Sequence, residues 1–207
     1  MAYLPGRRAG GKLVAMTDGH EHHGDDHGSE NHGHEDHVHD ASCAVAHGTA
    51  RGPAESKVLA AVFATPVASY LLRYGADAGY RAVLVEPDPE RAKAATADGF
   101  ELIESLTAID PDNTDVVVTD HHRPELGVLL RDALAAQVRW VGIMGNPRHE
   151  GPHVAALTEL GVPATDISKV HRPIGVNIGS RAPAEIAIAT MAGLIADRNG
   201  KPGGFTF

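Results

Sequence analysis

Between Lys57 and Gly200, short apolar runs alternate with amphipathic stretches, and Gly, Pro, Asp or Asn marks most of the boundaries. Val58–Phe63 (VLAAVF) is an unbroken apolar run of strand length, and Val67–Ala78 carries Val67, Leu71 and Leu72 on one helical face. Arg81–Glu86 predicts a second strand, and Pro89–Asp98 a helix with proline in its first turn. Glu101–Ile103 reads as a short strand. Asp115–Thr119 (DVVVT) is a further strand whose apolar run suits a sheet covered on both faces. Then come a helix over Pro124–Ala136, a strand over Arg139–Ile143, and a helix over Arg148–Leu160 stopped by Gly161 and Pro163. A last helix spans Pro183–Asn199, with Ile188, Met191, Ala192 and Ile195 sharing a face. Strands and helices alternating through short loops predict an α/β fold with a doubly wound, mostly parallel sheet.

Residues 1–56 have a different texture. No Phe, Tyr or Trp lies between Tyr3 and Phe63, and no Leu or Ile between Met16 and Ser56. A segment with so little to bury cannot offset the entropy of ordering, so a disordered tail is expected over 1–56 and a folded domain over 57–207. Within the tail, His20–Asp40 concentrates eight histidines, His20, His22, His23, His27, His32, His34, His37 and His39, among seven acids and no Lys or Arg. Imidazoles two residues apart can share a metal, so these eight are candidate ligands for a divalent transition metal. A polar solubilising tail with incidental metal affinity is the competing reading.

Charge sharpens this division. The chain carries a formal −9, of which His20–Asp40 supplies −7; from Lys57 onward 14 basic residues face 18 acidic ones. A nucleic-acid partner, which would need clustered Lys and Arg, is not expected. Cys43 is the single cysteine, which excludes an intramolecular disulfide and fits a reducing compartment. The longest apolar candidate, Leu59–Leu72, is interrupted by Thr65, Pro66 and Ser69, so no membrane partner is expected. No apolar core follows Arg7, Arg8 and Lys12 as a secretory signal would require, so the expected location is cytoplasmic, and Met16 is a candidate start.

Three places carry candidate chemistry. The first strand, its turn and a strand ending at Glu86 frame a nucleotide-binding βαβ unit, with the acid where a ribose would be met. Glu86 is thus a candidate contact, or else only a strand end. At the end of a central strand stand Thr119, Asp120, His121 and His122, where open α/β sheets place their ligands. Two glycine-rich loops follow. Gly142-Ile-Met-Gly145-Asn-Pro-Arg148-His149 precedes the expected helix start, where Arg148 could clamp an anion or pair with Glu150 or Glu159. Pro173-Ile-Gly175-Val-Asn177-Ile-Gly179-Ser-Arg181 leads into the last helix, whose first turn holds Glu185. His149 and His153 are four apart and would share a helix face.

These loops resemble the C-terminal, Rossmann-like domain of the xanthine dehydrogenase accessory family (XdhC/CoxI type). Pro173–Gly179 is similar to the family's Pro-Ile-Gly-Leu-Asp/Asn-Ile-Gly, Pro183–Ile188 to its Pro-Glu-Glu-Ile-Ala continuation, and Gly142–Arg148 to its Gly-x-x-Gly-Ser-Arg turn. His121 matches the histidine of the family's Thr-His-Asp, whereas His122 stands at its acid. The family's Phe-Gly-x-Gly-x-x-Gly is replaced by Phe63-Ala-Thr-Pro-Val-Ala-Ser69, and Pro66 also lacks the N–H that a pyrophosphate would use. NAD is therefore not expected.

The resemblance implies an accessory or maturation protein that binds molybdenum cofactor and aids its modification or insertion into a molybdenum hydroxylase, rather than a free-standing catalyst. It implies cofactor contacts from Gly142, Gly145, Arg148, Gly175, Asn177, Gly179 and Arg181, with Glu86 a weaker candidate, and a reactive-end role for His121 and, less directly, His122. Expected partners are the hydroxylase client, a separate protein carrying the family's N-terminal domain, and further copies of the chain in a homo-oligomer. A nicotinamide-dependent oxidoreductase and a metal-buffering protein acting through the tail are the alternatives.

Deleting residues 1–55 is expected to remove most bound Ni²⁺ or Zn²⁺ in equilibrium dialysis while leaving the metal-free thermal transition nearly unchanged. A large loss of stability would show that the tail belongs to the fold.

Overall fold

The computed structural model describes residues 57–145, 148 and 150–204. The expected tail and its eight candidate metal-ligand histidines lie outside the described residues, as do Asn146, Pro147 and His149. The elements are β1 (Val58–Val62), α1 (Pro66–Asp77), β2 (Arg81–Val85), α2 (Pro89–Ala97), β3 (Glu101–Leu102), β4 (Thr114–Val118), α3 (Leu126–Ala135), β5 (Trp140–Ile143), α4 (Pro152–Glu159), α5 (Ala164–Ile167) and α6 (Pro183–Arg198).

The five strands form one sheet in the order β3-β2-β1-β4-β5, and every pairing is parallel. Val62 pairs with both Val85 and Val118, and Val118 with Ile143, so the carboxyl ends of four strands finish level. The chain order reverses between β1 and β4, which places a topological switch point there. Alternate residues of the wholly buried strands feed two cores. On one face Leu59, Ala61, Leu84 and Val117 meet Leu71 and Leu72 of α1 and Ala187, Met191 and Leu194 of α6. On the other, Ala60, Val62, Val116 and Ile143 meet Leu126 and Leu130 of α3 and Leu157 of α4.

The helices begin where local chemistry allows. Thr65 caps α1 by accepting from the Ala68 N–H at 3.0 Å, and Pro66 occupies the first turn, where its missing N–H costs nothing. Asp88 caps α2 by accepting from Glu90 and Arg91. Two details differ from the sequence expectation. The helix expected from Arg148 starts only at Pro152, because a residue before proline is pushed to extended backbone and Gly151 takes it (φ −77°, ψ 122°). Arg148 therefore lies ahead of the helix, not at its start; of the expected His149 and His153 pair, His153 is on α4 and His149 lies outside the described residues. In α6 the buried face is Ala187, Met191 and Leu194; Ile188 and Ile195 point to solvent instead of joining Met191.

At the lower end of the sheet, the Asp115 side chain is fully buried at the start of β4. Arg139, just ahead of β5, donates to it at 2.6 Å, and Arg198, the last residue of α6, at 2.8 Å. Arg198 also donates to the Asn113 carbonyl at 2.7 Å, and Arg139 to Asp197 at 2.6 Å. Burial pushes the Asp115 carboxyl above the usual carboxylate range, against the pull of the two guanidiniums.

Removing one partner of a buried ion pair strands the other charge. Asp115→Ala is expected to lose about 3–5 kcal/mol in urea unfolding. Arg81→Ala, which breaks an exposed pair with Glu101, should lose less than about 1 kcal/mol. Equal losses would remove the special role of the Asp115 clasp.

Candidate functional site

A cleft of about 690 Å³ opens at the carboxyl end of the sheet beside the switch point. Its floor comes from Thr119 and His121 beyond β4 and from Met144 and Gly145 beyond β5; its walls come from residues 173–181 and from α6. Ile174, Val176, Ile178 and Ile186 make much of the wall apolar, while Asn177, Ser180, Arg181 and Thr190 supply polar groups.

The walls are held by backbone-level packing. Gly175 has φ +80°, and a Cβ there would fall 2.9 Å from the Ala189 carbonyl group and the Thr190 nitrogen of α6. Gly193, one turn further, faces Gly175 just as closely, so the loop lies directly on the helix backbone. Val176 N–H donates to the Ala189 carbonyl at 3.0 Å. At the end of the loop the Ser180 hydroxyl donates to Glu185 and accepts from the Ala182 N–H, which ties the entry to α6. After β5 the chain is locked from the other side: His171 donates its N–H to the Val141 carbonyl at 2.9 Å and accepts from the Ile143 N–H at 3.0 Å, a parallel bridge opposite Gly142, and the His171 ring stacks on Trp140 at 4.9 Å.

His121 lines the cleft, and its ring lies 4.1 Å from that of His122. Desolvation, the neighbouring His122 and the charge of Arg172 hold the His121 pKa below the usual histidine value, against Asp120 and a hydrogen bond to the Met144 backbone. Its imidazole is therefore neutral at pH 7, with a nitrogen able to accept a proton or a ligand. Asp120 accepts from the backbone N–H of His122 at 2.9 Å, which shapes the turn that carries both rings.

Of the sequence-named residues, His121, Gly145, Gly175, Asn177, Gly179 and Arg181 line this one cleft. Gly142 does not: a Cβ there would enter the Trp140 ring and Ile174, so its bareness serves packing under the cleft. A Cβ on Gly145 would meet the Arg172 guanidinium, whereas Gly179 (φ +70°) faces open space. Arg148 is exposed and outside the lining, as is His122. Sequence reasoning did not single out Met144 or Thr190 as cleft residues, and the positive charge of Arg172 acts on His121. The signal for Met144 was position alone, since it follows a strand ending at the switch-point side.

The dinucleotide turn is engaged internally. Phe63, fully buried, takes φ +73°, a strained left-handed conformation for a side chain of its size. That kink aims the Ala64 N–H at Glu86, which accepts it at 2.7 Å; the other carboxylate oxygen accepts from the Asp88 N–H at 2.9 Å and from Arg123 at 3.2 Å. The Arg123 guanidinium covers the Phe63 ring at 4.9 Å. Thr65 donates to Thr119, whose hydroxyl reaches the Val62 and Phe63 carbonyls at 3.0 Å. Among the described residues, no group of three or more His, Cys, Asp or Glu is placed to hold a metal ion, and no helix is long and apolar enough to cross a membrane.

Comparison with known proteins gives three findings. The chain is 32% identical over 109 residues to the uncharacterized protein YqeB of Escherichia coli (strain K12); the match covers 52% of this chain and 19% of that protein, so the chain spans about a fifth of its relative's length. The fold is similar to a crystal structure described as a xanthine dehydrogenase from Bacillus halodurans, with a TM-score of 0.56 and 23% identity over 70% of this chain and 45% of the other. The family model described as the XdhC Rossmann domain matches residues 59–194, from the first strand to the end of the core face of α6, and the chain belongs to that family.

Proposed function

We propose that the protein is an accessory factor for a molybdenum hydroxylase of the xanthine or carbon monoxide dehydrogenase type, and that it holds molybdenum cofactor in the 690 Å³ cleft during modification or insertion. The observation that carries this reading is the composition of the cleft: apolar walls broad enough for a flat heterocycle, with a neutral imidazole on the floor and an arginine and loop amides at the rim. Ile174, Val176, Ile178 and Ile186 would cover the ring system, and Arg181 with the amides around Gly179 would hold the anionic end. His121 would accept a proton or hold a ligand position near the reactive end. When bound, the cofactor is cargo; the redox chemistry of molybdenum belongs to the client. What this chain contributes is exclusion of water, orientation, and a base that stays uncharged at neutral pH.

An oxidoreductase reading would need the nicotinamide cofactor at the β1–α1 turn. The Ala64 N–H, a natural phosphate donor there, already meets Glu86, and Pro66 has no N–H to give.

Arg181→Ala is expected to lose one charge-assisted contact of about 1.5–3 kcal/mol, or roughly ten- to hundredfold in molybdopterin affinity. His121→Ala should impair delivery of active cofactor to the apo-hydroxylase more than it impairs binding. Arg91→Ala, on α2, serves as the control. Unchanged binding after Arg181→Ala, together with loss after Arg91→Ala, would move the site to another part of the fold.

NAD is expected to bind weakly or not at all in calorimetry. Micromolar binding to the unmodified protein would overturn that expectation and restore the oxidoreductase alternative.

A further inference from the structure

Beside its core face, α6 carries a second stripe that repeats in sevens. Glu185, Ile188, Ala192, Ile195 and Asn199, which caps the helix end, are spaced three and four apart, so they share one side, and all five are exposed. Ile188 is 54% exposed and Ile195 42%, although both stand in the body of a helix whose opposite side is core. A stripe meant for water would carry charge along its length; this one is apolar in the middle and polar only at its two ends. α1, which packs along α6, exposes Tyr70.

The stripe is complementary to itself. Ala192 is its midpoint: Ile188 and Ile195 stand four and three residues away, and Glu185 and Asn199 seven, or about 10 Å along the axis. A two-fold axis through Ala192 lays a second α6 antiparallel on the first, with closest approach at the small side chain and each isoleucine near the other isoleucine of the second copy. The same axis brings Glu185 of one copy to Asn199 of the other.

What lies at Asn199 suits an incoming acid. Ile195 and Asn199 border a cleft of about 300 Å³ at the lower end of the sheet, lined also by Lys57, Tyr80, Arg139 and Arg198 but by no Asp or Glu. Arg139 and Arg198 are committed to Asp115, whereas the Lys57 ammonium lies over the Tyr80 ring at 5.0 Å. Glu185 holds the Ser180 hydroxyl through Oε2, which leaves Oε1 for an ammonium. A parallel pairing would set Glu185 against Glu185 and bring no carboxylate to the cleft, so charge selects the antiparallel one.

We propose that α6 pairs with α6 of a second copy of this chain, antiparallel about Ala192, with Ile188 and Ile195 interlocked and Glu185 of each copy at the Lys57 cleft of the other. One helix stripe with Tyr70 at its side falls at the low end of stable interfaces, about 1,200 Å² in total, so the pair exchanges with monomer in the micromolar range. No residue of the stripe lines the 690 Å³ cleft, so the pairing is independent of what that cleft binds.

The test is sedimentation velocity on the full chain from about 1 to about 300 μM, under reductant so that Cys43 forms no cross-link. A concentration-dependent monomer–dimer equilibrium is expected. Ile188→Glu and Ala192→Glu put a good helix former at exposed positions, so each should keep the thermal transition while weakening the dimer tenfold or more. Val128→Glu, at an exposed apolar position on α3, should change nothing. Glu185→Lys should weaken the dimer, and adding Lys57→Glu should restore it. In a Cys43→Ser background, Ala192→Cys should give a disulfide-linked dimer on mild oxidation and Val128→Cys should not. A chain that stays monomeric at every concentration, whether or not another protein binds it, would overturn the proposal. So would a dimer that survives Ile188→Glu and Ala192→Glu, or a charge exchange that restores nothing.

Discussion

Asp115 fixes where α6 lies, and α6 in turn fixes the cleft. The carboxylate is buried at the lower end of β4, and Arg198 reaches it from the last turn of the helix while Arg139 reaches it from the entry to β5. A helix of 16 residues is roughly 24 Å long, so a pin at its lower end sets the height at which its first turns stand over the sheet. Those first turns carry Ile186, Ala189 and Thr190, three walls of the 690 Å³ cleft. Because the ion pair is desolvated, it holds one geometry at the cost of burial and tolerates little sliding. The apolar contacts of α6 with α1 alone would be less specific, since Ala, Ile, Met and Leu recur along it and neighbouring registers would bury similar surface.

The glycines around the cleft follow from this close fit. Gly175 and Gly193 bring a loop and a helix into backbone contact, which stiffens the wall that faces a ligand. Gly142 clears space for Trp140 and Ile174, and Gly145 clears space for Arg172. Most of the glycines that look like a ligand cradle are therefore occupied by the protein's own atoms, and their effect on a ligand is indirect: they position His121, Arg172 and the loop amides. Gly179, with open space at its α-carbon, is the one placed to approach a ligand directly.

The alternation of strands and helices was legible in the sequence because each strand is an apolar run closed by a polar or turn residue, as with Val58–Phe63 and Asp115–Thr119. The start of α4 was not, because helical periodicity runs back through Arg148 while Gly151-Pro152 quietly sets the boundary. The face of α6 was misassigned for a related reason. A helix apolar on most sides gives no clear moment, so Ile188 and Met191 looked equivalent until the sheet chose Met191. Loop motifs placed Gly175, Asn177, Gly179, Arg181 and His121 near one another, as they are. Where the Arg172 side chain lies was not legible, since its place depends on two glycines, Gly145 and Gly151, that belong to a different segment.

At the switch point of the sheet the β1–α1 turn is built without the glycines of a dinucleotide turn. A dinucleotide turn works by leaving its N–H groups unmet until a phosphate arrives. Here Phe63 bends into a left-handed conformation without being glycine, and the strain is held by Glu86 below the Ala64 N–H, by the Thr119 hydroxyl on two carbonyls and by Arg123 over the ring. Those contacts hold the turn through the protein's own side chains. The turn and the neighbouring cleft share Thr119: its hydroxyl closes the turn and its backbone leads towards His121. The strand end that fixes the β1–α1 turn through the Thr119 hydroxyl thus also sets the position of the His121 imidazole at the cleft.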